Sequence, residues 1–422
     1  MIRWYSMEQH RPCNRLDDVE KAVREAVAQL SPLPKWENQT VGIAVGSRGI
    51  SNLPNIIHTL VQLVKEGGGT PVLFAAMGSH GCGTAQGQRE VLASLGITEE
   101  SMEAEIRTCA ETVSFGRASS GVEVFGNPLA LEFDQVILCN RVKMHTDFSD
   151  VTESGLLKLM AIGIGNPTGA AQVHRIALQK GYGAAIREAA EVHMAKLPIA
   201  FGVAIAENWK HETETIRAFL PGDLLAGEKQ LLSEVKAKAV KLPVDELDTL
   251  LIWEAGKNIS GTCVDTKVIG RLGMAGQPDP PTPKIKTIAA LRFTEVSHGN
   301  AMGMGVVDLI TRKFFDQIRL EDTGLTGMTS NCLLQAKIPC VAPTDQLAIE
   351  TAIRASGVEK EEDAKAAFIE NTNALARIAV SEPVYEAMKG REDITCLGGP
   401  FTLTFDGAGN LKTNWLGEEI KE

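Results

Sequence analysis

Residues 139–175, CNRVKMHTDFSDVTESGLLKLMAIGIGNPTGAAQVHR, set two of the chain's eight histidines, His145 and His174, and one lysine, Lys158, into its most apolar and glycine-rich stretch. Imidazole exchanges protons near neutral pH and ligates transition metals. An enclosed lysine loses its charge more easily and becomes a nucleophile, whereas a lysine at the edge of an apolar helix snorkels to water. Both readings of Lys158 in SGLLKLMAIGIG are open from the residues alone. Other chemistry-bearing groups follow strand-like runs: Arg48 in GSRGIS, His80 in MGSHGCG, Lys143 and His145 in KMHTDF, and Lys210 and His211 in AENWKHE. A lone histidine after a strand more often stabilises a loop than catalyses, and a lone arginine there more often forms a salt bridge. Coincidence separates Arg48, His80 and His145 from that background, since all three fall at one end of a single expected sheet.

The elements that must position them alternate in type. TVGIAVGS (40–47) precedes a helix near 53–66, TPVLFAAMG (70–78) a helix near 84–95, and FDQVILCNRVKMH (133–145) the helix around Lys158. PIAFGVAIAEN (198–208) follows a helix over 177–196. Continuous apolar strands between helices predict a parallel sheet covered on both faces, whose ligands bind beyond the carboxyl ends of the strands. A polar helix over 223–241 leads to LDTLLIWEAGKN, which opens a second α/β set with KIKTIAALRF and AKIPCVAPT as further strands. Helices are expected near 303–317, 345–356 and 361–390, and a terminal hairpin turning at Gly-Ala-Gly-Asn. The expected organisation is an α/β chain of two α/β domains, 1–245 and 246–422, with parallel or mixed sheets covered by helices.

Two glycine-rich stretches are not nucleotide motifs. GSHGCG lacks the P-loop lysine and spacing, and IGIGNPTG follows a helix where a dinucleotide fingerprint follows a strand. His10, His58 and His193 lie in polar or helical settings. In the second half Lys257, Asp265 and Arg271 are the polar candidates after the first strand, while SHGNAMGMGVVD, with His298, Asn300 and Asp308, reads as structural.

In the order and spacing of its polar groups the chain resembles the nickel-dependent lactate racemase family, most strongly over 40–175. GSRGIS stands where the family has its arginine loop, GSHG where it has Gly-Thr-His, KMH where a strand ends in Pro-His, and SGLLK where it has a lysine turn. His174 in QVH lies sixteen residues beyond Lys158, as the family's histidine does. The resemblance implies two α/β domains with the active site in the cleft between them. It implies a nickel pincer nucleotide, a pyridinium mononucleotide with two thio-acid arms, covalently attached through Lys158 and ligated by His174. His80 and His145 would be the acid/base pair, Arg48 a clamp for the substrate carboxylate, and Lys257 the second domain's contribution to substrate binding. The expected activity is that of a racemase or epimerase of a 2-hydroxy acid. The chain departs from the family in the two leucines before Lys158 and in a longer, acidic loop carrying Asp147, Asp150 and Glu153, which points to a substrate other than lactate.

Bulk composition bounds the alternatives. With 422 residues, 23% charged and a net charge of -11, the chain is a poor match for nucleic acid or anionic membranes. It has no run of about 18 apolar residues and no secretory start, and its eight cysteines are scattered without CxxC. These features predict a cytoplasmic protein with reduced thiols. The resemblance implies, as partners, a small hydroxy acid and the enzymes that make the cofactor. Two other functions fit the same residues: a lyase or aldolase using Lys158 as a Schiff base, and a non-catalytic binder of the nickel nucleotide.

Overall fold

The computed structural model describes residues 2–32, 35–46, 49–146, 148–330 and 332–420. It separates into two compact units, Cys13–Ala239, and Met1–Pro12 with Val240–Glu422. The first twelve residues thus leave the expected 1–245 domain. The cause is strand β1 (Trp4–Gln9), which is hydrogen-bonded on both sides by strands from the far end of the sequence.

The Cys13–Ala239 unit is built on six strands: β2 (Thr40–Val45), β3 (Thr70–Ala75), β4 (Glu105–Arg107), β7 (Gln135–Arg141), β8 (Ile199–Glu207) and β9 (Thr213–Phe219). They run in the order β4-β3-β2-β7-β8-β9, all parallel except β9. A separate hairpin joins β5 (Val113–Arg117) to β6 (Glu123–Gly126). Side chains alternate between two cores, as strand geometry dictates. Val41, Ile43 and Val45 pack with helices Val19–Ala28 and Leu53–Glu66. Ala44, Val136 and Leu138 face helices Asn166–Lys180, Tyr182–Lys196 and Leu224–Lys238 on the opposite side. The chain leaves β2 toward β3 on one side and later returns to place β7 on its other side. The switch point of the sheet therefore lies at the carboxyl ends of β2 and β7, where a doubly wound fold leaves a crevice.

The other unit carries an eight-stranded mixed sheet. Its further strands are β10 (Glu246–Ala255), β11 (Lys284–Phe293), β12 (Leu309–Thr311), β13 (Cys340–Ala342), β14 (Ala366–Asn371), β15 (Ala374–Ser381) and β16 (Ile394–Phe401). The order is β13-β12-β11-β10-β14-β15-β1-β16, parallel from β13 to β14 and antiparallel beyond. Both sheets are mixed and helix-covered, as the sequence leads one to expect.

Several expected helices are something else. The 361–390 stretch is the β14–β15 hairpin followed by the short helix Glu382–Met388, because AAFIEN and ALARIAVS satisfy strand pairing as central strands. The 303–317 stretch holds β12 between a 3₁₀ turn and a four-residue helix. The 177–196 helix is cut at Gly181, whose φ of 83° an L-residue rarely adopts. The Gly-Ala-Gly-Asn turn is present, closed by a Phe405–Leu411 bridge, but β16 pairs with β1. Among the described residues no helix is long and apolar enough to cross a membrane.

Trp4 is 2% exposed and its ring lies 6.3 Å from that of Phe368. Trp4→Ala should cost about 3–5 kcal/mol. Amide exchange should show the loss in the 240–422 strands and leave β2, β3 and β7 protected; the reverse pattern would contradict the division of the chain.

Candidate functional site

The segment that carries Lys158 begins at Gly155 with a single α-turn, Leu156–Lys158. It widens into a π-helical turn over Leu159–Ile164 and resumes as helix Asn166–Lys180, which bears His174. π-turns insert one residue into the helical ladder and are concentrated at functional positions. Leu156, Leu157, Leu159 and Met160 are buried, while Lys158 and His174 are half-buried. The lysine is therefore neither a free surface group nor a sealed one.

His80 lies on the loop after β3, half-buried. The glycines of GSHGCG, Gly78, Gly81 and Gly83, all take positive φ and form a tight turn. Gly78, with φ 61°, donates its N–H to the Gly163 carbonyl at 3.0 Å. A Cβ on Gly163 would stand 2.6 Å from the Ala76 carbonyl oxygen. Two backbones thus touch, and the His80 loop rests on the π-turn that follows Lys158. Buried Asn166 ties the same region together, donating to the Cys109 and Glu111 carbonyls at 2.8 and 3.0 Å and accepting from Gln88.

His145 and His174 are linked by a chain of rings. His145 stacks on Phe148 at 4.6 Å between centroids, Phe148 stacks on Tyr182 at 5.1 Å, and Tyr182 meets His174 edge-to-face at 5.5 Å. Phe148 is 2% exposed, so the stack is part of the core, and its two ends are imidazoles. Pairs of this geometry add about 0.5–1.5 kcal/mol beyond area burial and restrict ring orientation.

Two of the three acids in the loop between His145 and Lys158 are paired with cations. Asp147 lies outside the described residues. Asp150 is paired with Arg187 at 2.5 Å. Burial alone would raise its carboxyl, but the guanidinium bond and charge and the Thr152 and Val151 N–H groups hold it below the usual range. Glu153 has a side chain with 0% exposure; it meets Lys236 at 2.5 Å and accepts the backbone N–H groups of His145 at 2.6 Å and Asp150 at 3.2 Å. This carboxylate organises the loop that presents His145.

A second buried carboxyl stands at the start of the Lys158 turn. Glu228, 1% exposed on helix Leu224–Lys238, accepts the Leu157 N–H at 3.1 Å. Gly155 makes room for it, since a Cβ there would lie 2.3 Å from Glu228 Oε2. Burial pushes the Glu228 carboxyl up to about 7, against the downward pull of the Leu157 and Leu156 N–H groups.

A third carboxylate, Glu207 at the end of β8, has a side chain only 5% exposed, pairs with Arg141 at the end of β7, and accepts the Ser51 N–H at 2.8 Å. Ser51 belongs to the loop of Arg48, which itself lies outside the described residues. Lys257 sits in the other unit, half-buried, its Nζ donating to the Gly261 and Met302 carbonyls at 2.6 and 3.2 Å. Asp265 accepts turn N–H groups from Lys267 and Val268, and Arg271 is paired with Asp308 at 2.9 Å, so both shape the backbone there. Within the Cys13–Ala239 unit, then, His80, His145, Lys158 and His174 lie on segments packed together near the carboxyl end of the sheet. Among the described residues no three His, Cys, Asp or Glu side chains converge to hold a metal ion.

No protein-family model matches the chain, and no curated protein sequence does. Solved structures do match in shape. A crystal structure of a Thermotoga maritima protein superposes with a TM-score of 0.52 at 14% identity, covering 86% of this chain and 99% of that one. The lactate racemase apoprotein from Thermoanaerobacterium thermosaccharolyticum superposes with a TM-score of 0.51 at 12% identity, covering 92% of this chain and 96% of that one. The chain has a lactate-racemase-like fold. At these identities the likeness is one of architecture, and it spans both units of the chain.

Phe148, Tyr182, Glu228 and Lys236 escape a reading of the sequence within this fold. Glu228 leaves one trace: it falls on the apolar stripe of its helix with Leu224, Leu231 and Leu232. A charged residue in such a stripe needs a polar partner inside.

The unfolded chain titrates Glu228 near 4.5 and the folded chain near 7. Between those values the folded state holds the extra proton, so this group's contribution falls as pH rises and is fully lost above about 7. The total is on the order of 3 kcal/mol. Chemical denaturation at a series of pH values should therefore show Glu228→Gln gaining on the wild type from pH 5 to 8. A constant difference across that range would refute the assignment.

Proposed function

We propose that the chain is a racemase or epimerase of a 2-hydroxy acid that works with a lysine-tethered nickel pincer nucleotide. The observation that carries this reading is the packing of the His80, His145, Lys158 and His174 segments together within a lactate-racemase-like fold. The donor set fits the group. A pincer with sulfur arms would ask the protein for one imidazole and one lysine, and His174 and Lys158 are both half-buried on one continuous helical segment. His174 would supply that imidazole and Lys158 the covalent tether. When bound, the group supplies an electrophilic pyridinium carbon that accepts and returns a hydride.

The chain's own residues do the rest. The C2 hydrogen leaves the substrate with its electron pair while the hydroxyl proton passes to an imidazole. The resulting 2-oxo acid takes both back, and return to its opposite face inverts C2. His145 and His80 come from different loops, after β7 and after β3, and serve as the two proton-transfer groups, one for each enantiomer. Arg48 would clamp the carboxylate in bidentate fashion. Asp150 and Glu153 are paired with Arg187 and Lys236, so these two acids would not repel an anionic substrate. The partners are a small hydroxy acid and the enzymes that make the cofactor.

Protein co-produced with nickel and those enzymes should carry an added mass on the peptide containing Lys158, and Lys158→Ala should lose it. His174→Ala should lower bound nickel. His80→Ala and His145→Ala should stay loaded and lose about 10²–10⁴-fold in turnover. In D₂O the inverted product should keep its C2 hydrogen; solvent deuterium at C2 would mean proton abstraction in place of hydride transfer. Unmodified Lys158 trapped by borohydride with a carbonyl substrate would replace this reading with a Schiff-base lyase.

A further inference from the structure

We infer that helix Leu224–Lys238 is a strut shared by the two reactive segments, with Glu228 the positioning residue for Lys158 and Lys236 the positioning residue for His145. The two residues are eight apart on one helix, a rise of about 12 Å. One end engages the start of the Lys158 turn and the other the His145 loop.

At the first end, the turn Leu156–Lys158 has no capping side chain of its own. A single α-turn that passes at once into a π-turn cannot hold its own first N–H groups. Glu228 supplies the missing acceptor from outside, at 3.1 Å from the Leu157 nitrogen. The absence of a side chain at Gly155 is what admits it. This gives a structural role to the glycine of the SGLLK stretch: it opens the backbone to a carboxyl from another helix. Buried among Leu156, Leu157 and Leu224, that carboxyl has little freedom to move without moving the turn.

At the other end, Lys236 Nζ meets Glu153 Oε1 at 2.5 Å and donates to the Asp150 carbonyl at 2.7 Å. Glu153 in turn accepts the His145 N–H at 2.6 Å. Lys236 thus reaches His145 through one intermediary, and it fixes both ends of the 145–153 loop. The ring stack from His145 to His174 then inherits that anchoring. A single rigid helix sets where both reactive groups stand, which keeps their separation independent of the loop that joins them in sequence.

The roles of Lys158 and His145 rest on the function proposed above. The experiment is therefore read on unloaded protein, where failure to load cofactor would sink that function and leave the strut standing. Amide exchange and the rate of Lys158 acylation by an amine-reactive ester, both located by peptide mapping, would be compared in Glu228→Leu, Glu228→Gln, Lys236→Met and Lys236→Arg. Glu228→Leu should speed exchange roughly tenfold over 155–164 and alter Lys158 acylation several-fold, as loss of a buried helix cap does. Glu228→Gln, which keeps an acceptor oxygen, should restore both. Lys236→Met should do the same to 144–153 alone, with Lys236→Arg restoring it. Gly155→Ala, which pushes the carboxyl off the turn, should reproduce the Glu228→Leu pattern and stands in for it should that variant not fold. Exchange that rises evenly through β2, β3 and β7, failure of the conservative variants to restore, or unchanged Lys158 acylation would overturn the inference.

Discussion

A buried carboxylate has to be answered by hydrogen bonds or a counter-charge, since leaving it bare costs several kcal/mol. Three glutamates of the Cys13–Ala239 unit meet that demand with backbone N–H groups from the segments expected to do chemistry. Glu153 takes the N–H of His145, Glu228 that of Leu157 beside Lys158, and Glu207 that of Ser51 near Arg48. Backbone groups on irregular loops lack ladder partners of their own, and a charged acceptor satisfies them more strongly than a neutral one. The same bonds that satisfy the acids therefore restrain the loops. Two of the three acids also carry a cation, Lys236 on Glu153 and Arg141 on Glu207; among the described residues Glu228 pairs with none, and its carboxyl is held up near neutrality.

Rigidity of this kind matters because the segments themselves are poor at holding shape. The His80 loop is half glycine, and the stretch after Lys158 runs through a π-turn before it regains α-geometry at Asn166. Small residues there allow backbone to approach backbone, as between Gly78 and Gly163. Such contacts leave side-chain packing with little to grip. Precision has to come from neighbours: the Asn166 bonds, the aromatic stack and the buried acids. Catalytic geometry is degraded by displacements of about an ångström, so support from regular elements is what lets glycine-rich loops serve a reaction.

Sequence periodicity revealed the sheet of the Cys13–Ala239 unit well because its central strands are buried on both faces and read as unbroken apolar runs. Reading failed where pairing is decided at a distance. The strand Trp4–Gln9 carries a mixed polar pattern, and only its partners near residues 380 and 400 make it a strand. The 361–390 stretch contains alanine and glutamate in helix-like proportion, yet the two runs on either side of Asn371–Ala374 pair as a hairpin in the sheet. The candidate site divides in the same way. His80, His145, Lys158 and His174 announce themselves by type and spacing. Glu153 reads as one more loop acid, and its inward orientation follows from Lys236, more than eighty positions away.

The low identity to the lactate racemase apoprotein fits this division. Hydrophobic alternation sets a sheet and its covering helices without demanding particular residues, so architecture persists while sequence drifts. Side chains that reach a reacting atom are more tightly bound by type and place. The supports behind them fall between these limits: a buried acid on a neighbouring helix can be exchanged for another donor and acceptor arrangement, provided the backbone it holds stays where it is. In this chain the 145–158 loop is acidic; Lys236 and Arg187 pair with its acids Glu153 and Asp150, and Glu228 holds the turn that follows. The two leucines before Lys158 and the buried acids Glu228 and Glu153 are thus parts of one local arrangement.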